Sequence, residues 1–200
     1  MMEKNQAIRP MIRRRSGLLF GLLLLLTACS LNNSPPTQFY LLEPTAAHDL
    51  EHQAPRQIIV LTPVKIAPYL NTTHIVTALG QNHYQVSDFH RWAEDLGDNV
   101  QRVLQQDLAR LLPVDVLSQF SGDALHVALT VFAFHVDAQG EASLEVQWQL
   151  SKNKQLVKMG RGHFSEPVSV ADYSSRVAAM NACLAQLTRA LVSDIQAQLR

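Results

Sequence analysis

Three consecutive extended stretches in the second half of the chain constrain the fold more than any other feature. They cover residues 125–136, 142–150 and 155–164, and short polar connections separate them. In the second stretch every other residue from Leu144 to Leu150 is apolar. A period of two gives a strand one dry face and one wet face, which is typical of an antiparallel sheet. The stretches therefore predict a three-stranded antiparallel meander.

Two long amphipathic helices flank this meander. The first is predicted from about Ala93 to Leu112 and the second from about Ala171 to Gln198, because apolar residues recur in both at spacings of three and four. Pro113 ends the first helix, since the residue before a proline avoids the helical conformation. The apolar stripe of the second helix fits burial on a sheet, and it leaves open a coiled-coil seam with a partner.

Shorter extended segments precede the first helix. They cover residues 38–42, residues 57–66 and the two sides of a hairpin, 74–79 and 83–89. Pro63 lacks an amide hydrogen, so its strand is predicted to lie at an edge or to be bulged there. The order strands, helix, strands, helix predicts an α+β fold. We expect a single domain over residues 38–199, with an antiparallel-rich sheet and two long helices packed on one face.

The N-terminus has the pattern of a lipoprotein signal. A basic cluster, Arg13-Arg14-Arg15, precedes an apolar run that begins at Leu18 and closes with Leu26-Thr27-Ala28-Cys29. The apolar run is roughly 11 residues long, which is too short to span a bilayer. Leu-Thr-Ala-Cys resembles a bacterial lipobox, which implies cleavage before Cys29 and lipidation of that cysteine. The alternatives are an ordinary signal peptide or a truncated membrane anchor with an incidental cysteine.

The charge balance depends on whether this segment is removed. Of the 17 basic and 17 acidic residues, five basic and one acidic lie in residues 1–28, which leaves a mature chain with a net charge of −4. An acidic surface argues against sequence-independent binding of nucleic acid. It also argues against electrostatic docking to anionic lipid headgroups, so attachment must come from the acyl chains. Residues 29–37 are predicted to be the lipidated cysteine and a proline-bearing tether.

The sequence carries no recognisable catalytic or metal-binding motif. It lacks His-Glu-x-x-His, Cys-x-x-Cys and Gly-x-Ser-x-Gly. His48 and His52 are four residues apart but fall in a polar segment predicted to be a loop. His126 and His135 are predicted to lie on opposite faces of one strand. We therefore expect a protein that is not an enzyme and that holds neither a metal nor a cofactor.

Cysteine and glycine usage adds two structural expectations. Cys183 is the only cysteine apart from Cys29. No intramolecular disulfide is therefore available, and the fold must depend on its hydrophobic core. We expect Cys183 to be a buried, unreactive thiol. Gly160-Arg161-Gly162 lacks the third glycine of a dinucleotide-binding loop and is interpreted as a strand irregularity, where glycine permits a bulge or a close approach of the backbone.

Two segments carry a resemblance to a known family. Pro63-Val64-Lys65-Ile66-Ala67-Pro68-Tyr69-Leu70, followed by Arg91-Trp92-Ala93-Glu94, resembles the PqiC-like auxiliary lipoproteins of ABC-type transport systems. Phe39-Tyr40-Leu41-Leu42 fits their first strand. The sequence departs from the family pattern at Asn71-Thr72-Thr73-His74, where relatives often have an acidic residue, arginine and proline, and at Asp95, where proline is common.

The resemblance implies a function as well as a fold. It implies an outer-membrane lipoprotein that faces the periplasm and docks with an MCE-domain (PqiB-like) protein of the inner membrane, in a system that moves lipid between membranes. Ser30 agrees with this location, because retention in the inner membrane is associated with aspartate after the lipidated cysteine. A lipid-binding periplasmic carrier is the alternative function, and an envelope hydrolase is a third. Whether the domain forms a homo-oligomer is left open.

Two aromatic residues are candidates for the docking surface. Tyr69 and Trp92 flank predicted turns, and aromatic side chains are favoured at interface hot spots. The alternative for Trp92 is that its side chain closes the core where the strand hands over to the helix.

Overall fold

The predicted meander forms one side of a mixed sheet. The computed structural model describes residues 34–46 and 57–199, and nine strands and two long helices lie within them. The strands are β1 (Gln38–Tyr40), β2 (Gln57–Leu61), β3 (Lys65–Ile66), β4 (His74–Gly80), β5 (His83–Trp92), β6 (Val114–Leu117), β7 (Leu125–Asp137), β8 (Glu141–Lys152) and β9 (Gln155–Pro167). The helices are α1 (Leu96–Leu111) and α2 (Tyr173–Leu199). The α+β fold class is confirmed.

Strand β7 joins the two halves of the sheet. Along one edge it pairs antiparallel with β8, which in turn pairs antiparallel with β9. Along its other edge it pairs parallel with β2, β3 and β4 in succession. The sheet continues through β6 beyond β2, and through β5 and then β1 beyond β4. The long ladders are therefore antiparallel, as expected, whereas the strands that share the second edge of β7 run parallel to it.

Strand β6 was not expected from the sequence. It is four residues long, Val114-Asp115-Val116-Leu117, and it pairs parallel with β2. Four residues are too few to display a hydrophobic period, and the pairing partner lies far earlier in the chain. The strand is therefore set by tertiary pairing and has no clear local signal.

Pro63 interrupts a strand, as its missing amide hydrogen predicts. β2 ends at Leu61 and β3 begins at Lys65. On either side of the break the chain still pairs with β7, because Thr62 donates its amide to Val127 O at 3.0 Å and Ala67 donates to Val131 O at 2.9 Å. The proline thus occupies the point where no ladder hydrogen bond is required.

Helix α1 begins three residues later than predicted. Asp95 is its N-cap, and Oδ1 of Asp95 accepts hydrogen bonds from the amides of Gly97 at 2.8 Å and Asp98 at 3.2 Å. An aspartate in this position satisfies amides that no preceding turn can reach. The residue that departs from the family pattern therefore sets the start of the helix. The helix ends at Leu111, just before Leu112 and Pro113, as expected.

Both helices cover the same face of the sheet, as predicted. The inward side chains of β7 and β8 and the apolar stripes of α1 and α2 form one hydrophobic core. Cys183 is fully buried in this core, and its Sγ lies 3.6 Å from the carbonyl oxygen of Ala142. Neither helix in the described part of the chain has the length and apolar content that a bilayer-spanning helix needs.

Gly160 is required by a close approach of Trp148. A Cβ at Gly160 would lie 2.2 Å from Cε2 of the indole, so no side chain fits there. The indole is held in this place because its Nε1 donates to Oδ2 of Asp194 on α2 at 2.8 Å. This confirms the close-approach interpretation of the glycine pair. The bulge does not lie at the glycines, because the β8–β9 register shifts between Leu150 and Ser151.

The segment that follows β1 is fastened to α1 by side chains. Leu42 is fully buried, its amide donates to Asn99 Oδ1 at 2.7 Å, and its carbonyl oxygen accepts from Asn99 Nδ2 at 3.1 Å and from Arg102 at 3.0 Å. Further along, the buried carboxylate of Asp107 accepts from the amides of Thr45 and Ala46 at 3.3 and 3.1 Å. Helix side chains thus replace the neighbouring strand that an extended backbone needs.

We predict that Asn99→Ala lowers the free energy of unfolding by about 2 kcal/mol, because it leaves the buried amide of Leu42 without an acceptor. Chemical denaturation measures this loss. Gln106→Ala is the matched control, since Gln106 is exposed on the same helix and its truncation changes stability by less than about 0.5 kcal/mol. Equal stabilities of the two variants contradict the proposed fastening.

Candidate docking surface

The face of the sheet opposite the helices carries an apolar patch on the β4–β5 hairpin. Thr77 of β4 faces the helices, because its Oγ1 accepts a hydrogen bond from Arg176 of α2 at 3.0 Å. Its neighbours Val76 and Ala78 must therefore point to the opposite face. There they lie beside their cross-strand partners Val86 and Tyr84. Val86 is 49% exposed and Tyr84 is 44% exposed, so the patch is open to solvent.

Three rings meet at this patch, and we call Tyr69, Tyr84 and His135 the aromatic cluster. Tyr69 comes from a short 3-10 helix, Pro68–Leu70, whereas Tyr84 lies on β5 and His135 on β7. The ring centroids of Tyr69 and Tyr84 are 4.9 Å apart, and those of Tyr84 and His135 are 5.6 Å apart in an edge-to-face arrangement. The hydroxyl of Tyr69 lies 3.2 Å from Nδ1 of His135. The cluster thus joins three separate segments of the chain.

Burial sets the protonation of the cluster. It raises the pKa of Tyr69 to about 12, with a further contribution from Tyr84, so the phenol stays protonated. It lowers the pKa of His135, and the carboxylate of Asp137 opposes that effect in part. A neutral imidazole can accept a hydrogen bond from the Tyr69 hydroxyl at its Nδ1. At neutral pH the cluster is therefore an uncharged aromatic surface with its central polar groups satisfied.

The exposed side chain of Phe132 extends this surface toward β9. The β7–β8 register shifts between Val131 and Ala133, and Phe132 lies at that irregularity with 40% of its surface exposed. The guanidinium of Arg161 lies over its ring at 5.8 Å from the centroid and donates to Gln147 Oε1 at 3.3 Å. Arginine stacked on an aromatic ring is common at protein interfaces.

Tyr69 and Trp92, the two docking candidates from the sequence, lie in different environments in the structure. Tyr69 lies in the aromatic cluster and is 37% exposed, so it is available to a partner. Trp92 is only 4% exposed and belongs to the hydrophobic core under the helices. Its side chain offers no docking surface, and the alternative that it closes the core is the one the structure supports. The aromatic residues that accompany Tyr69 on the candidate surface are Tyr84, His135 and Phe132, and Trp92 is not among them.

The same irregularity corrects the placement of two histidines. Buried residues alternate along β7 as Leu125, Val127, Leu129 and Val131, and then the pattern resumes at Phe134 and Val136. The extra residue resets the alternation, so His126 and His135 lie on the same face and not on opposite faces. Nine residues of strand still separate them by roughly 30 Å, which is too far for a shared ion.

The other side chains that could bind a metal or act as a nucleophile are dispersed or unreactive in the described part of the chain. Residues 34–46 and 57–199 contain no group of three His, Cys, Asp or Glu residues that could hold a metal ion. Burial raises the pKa of the Cys183 thiol to about 12, so it stays protonated at physiological pH. His48 and His52 lie outside the described residues. Cys29 does so too, which leaves its lipidation a prediction from the sequence.

An open groove of about 480 Å³ lies at the other end of the helix-free face. Its lining includes Phe120, Ala124, His126, Ala128 and Lys154. Its volume falls in the usual range for small-molecule sites of about 300–1,000 Å³. The helix-free face therefore has an aromatic cluster at one end and a concave region at the other.

The lowered pKa of His135 predicts a loss of stability in acid. Below about pH 6.5 the unfolded chain binds a proton at this residue more readily than the folded chain, so the free energy of unfolding falls as the pH drops through this range. His135→Gln removes that contribution. Urea denaturation at pH 7.5 and pH 5.5 compares the two proteins, and the wild type is expected to lose more stability. Between pH 7.5 and 8.5 their difference should stay constant, and a constant difference down to pH 5.5 contradicts the prediction.

Comparison with solved structures agrees with the fold. A protein described only as uncharacterized matches with a TM-score of 0.72 and 21% sequence identity, over 80% of this chain and 99% of that chain. A Xanthomonas campestris protein of the DUF330 family matches with a TM-score of 0.66 and 18% identity, over 78% of this chain and 93% of its own. At these identities the matches establish the fold alone. No curated protein sequence matches the chain.

The family itself is established by the sequence. The family model for the ABC-type transport auxiliary lipoprotein component matches residues 40–192, which is most of the chain. This match includes Tyr69, Tyr84 and His135 and excludes the predicted signal peptide and tether. The chain therefore belongs to the family of ABC-type transport auxiliary lipoprotein components.

Proposed function

We propose that this protein is an outer-membrane lipoprotein subunit of an MCE-type system for lipid transport between membranes. In this function it docks the periplasmic part of an MCE-domain (PqiB-like) protein and so supports envelope integrity. The observation that carries the proposal is the aromatic cluster of Tyr69, Tyr84 and His135, exposed on the helix-free face of a family member whose family name denotes a transport auxiliary.

The cluster has the properties of a protein-binding surface. Tyrosine combines a large apolar ring with a polar tip and loses little conformational freedom on binding, so it is enriched at hot spots. Tyr84 and Val86 are about half exposed although their neighbours Val76 and Ala78 are buried. These buried neighbours hold the exposed side chains in one arrangement before a partner binds, which lowers the entropic cost of binding. Docking at this face leaves the helices free.

We propose that the protein acts by binding and not by catalysis. The thiol of Cys183 is buried and protonated, which removes the described cysteine as a nucleophile. The imidazole of His135 faces Tyr69, a phenol with a pKa of about 12, and no serine or cysteine is hydrogen-bonded to it in the described residues. The ATPase and permease parts of such a system then lie in other chains.

A lipid carrier is the second candidate function. The groove beside Phe120, Ala124 and Ala128 supports it, because a concave region of about 480 Å³ could receive part of an amphiphile. Native mass spectrometry of the protein after delipidation and exposure to phospholipid vesicles separates the two functions. A retained phospholipid favours the carrier, and a protein without one favours the docking subunit.

Tyr84→Arg is expected to weaken docking without unfolding the protein. The change places a charge in the centre of the aromatic cluster, and we expect co-purification of the MCE-domain protein to fall by about tenfold. Leu79→Arg is the matched control, because Leu79 lies on the same hairpin outside the aromatic cluster and is 39% exposed. Equal losses in both variants, or none in Tyr84→Arg, count against docking at this face.

Cys29→Ser tests the anchor. Without the thiol that carries the lipid, the domain should fold with an unchanged melting temperature and leave the outer-membrane fraction. Membrane fractionation and detergent sensitivity of the cells measure location and envelope function. Survival of envelope function in this variant contradicts the bridging role, because a subunit that joins two membranes must be attached to one of them.

A further inference from the structure

Strand β9 ends the sheet on one side and leaves an edge open. It pairs with β8 and with no other described strand. The C-terminal part of the strand is partly covered, since Gln186 of α2 donates to the carbonyl oxygen of Ser165 at 3.2 Å. Residues 155–162 have no comparable partner for their outward backbone groups among residues 34–46 and 57–199. An uncovered edge of this kind can pair with another strand.

The side chains of this edge are exposed and largely apolar. All five residues from Gln155 to Met159 are exposed, and Leu156, Val157 and Met159 are 56%, 42% and 52% exposed. Along the next residues Gly160 and Gly162 carry no side chain that could block an approaching backbone. The strand is 13 residues long, whereas natural edges are usually short or covered. An apolar edge that is long, open and accessible therefore needs an explanation.

The charge of the edge selects what can pair with it. Lys154, Lys158 and Arg161 are the charged residues from the β8–β9 turn up to Glu166, so this stretch is cationic in a mature chain whose net charge is −4. Asp194 of α2 approaches Lys158 at 3.4 Å, whereas Arg161 contacts the uncharged Gln147 and Phe132 and forms no ion pair with residues 34–46 or 57–199. A basic strand is repelled here and an acidic strand is attracted.

We propose that the edge of β9 from Gln155 to Gly162 is a docking site for an extended segment of a partner protein in which apolar and acidic residues alternate. The segment adds to the sheet as a further strand, so that backbone hydrogen bonds provide affinity and Arg161, on the helix-free face, selects the acidic residues. A second copy of β9 is a poor occupant, because its edge carries the same cationic residues and two such edges repel each other. The partner is defined by this chemistry alone, so the inference goes beyond docking of an MCE-domain protein and does not depend on it.

Binding of three fluorescent ten-residue peptides to the full-length lipoprotein in detergent micelles tests the proposal. The first alternates valine and glutamate, the second is the same peptide with every backbone nitrogen methylated, and the third alternates valine and lysine. Fluorescence anisotropy gives the affinities. We expect the first peptide to bind about tenfold more tightly than the others, because only it offers both backbone donors and matched charge.

Charge reversal separates edge pairing from general electrostatic attraction. Arg161→Glu should weaken the valine–glutamate peptide about fivefold and strengthen the valine–lysine peptide. Arg189→Glu is the matched control, because Arg189 is exposed on α2 and its reversal changes the net charge equally. Retention of binding by the methylated peptide, equal effects of the two variants, or no binding of the first peptide at millimolar concentration overturns the proposal. Self-association of the protein that Arg161→Glu abolishes overturns it as well, in favour of a second copy.

Discussion

The register of β7 is the constraint on which the rest of the structure depends. This one strand pairs along its full length with β8 and shares its other edge among three shorter strands. Because side chains alternate along it, a shift of one residue exchanges the core face for the open face. At the irregularity beside Phe132 the strand has one extra residue, so the residues after it exchange faces once. It keeps Phe134 in the core and brings His135 to the face where Tyr69 and Tyr84 lie.

Local patterns were sufficient for the parts of the fold that are local. The meander, the β4–β5 hairpin and the two helices have periods of two or of about 3.6 that are visible over ten or more residues. Parallel pairing has no such signal, because it joins segments that are distant in the chain and need only a few residues each. The start of α1 was misplaced since Asp95 caps the helix, and capping outweighs the apolar residues before it.

The candidate site was predictable only in part for the same reason. Tyr69 could be singled out because it lies near the end of a family motif, beside a turn. Tyr84 and His135 could not be joined to it, since their meeting depends on the β4–β7 pairing and on the reset alternation within β7. Trp92 shared the motif-based argument but points into the core. A family motif therefore identifies residues that matter without saying whether they serve the core or the surface.

The fastening of Leu42 by Asn99 has a mechanical consequence. Eight residues lie between Cys29 and Gln38, so a fully extended chain places the start of β1 no farther than roughly 30 Å from the predicted anchor. Any pull from a lipidated Cys29 enters the domain through β1 and the segment that follows it. The side chains of Asn99 and Arg102 pass this tension from Leu42 to α1. A tension on the predicted tether is therefore borne by the pairing of β1 with β5 and by the hydrogen bonds that join Leu42 to α1.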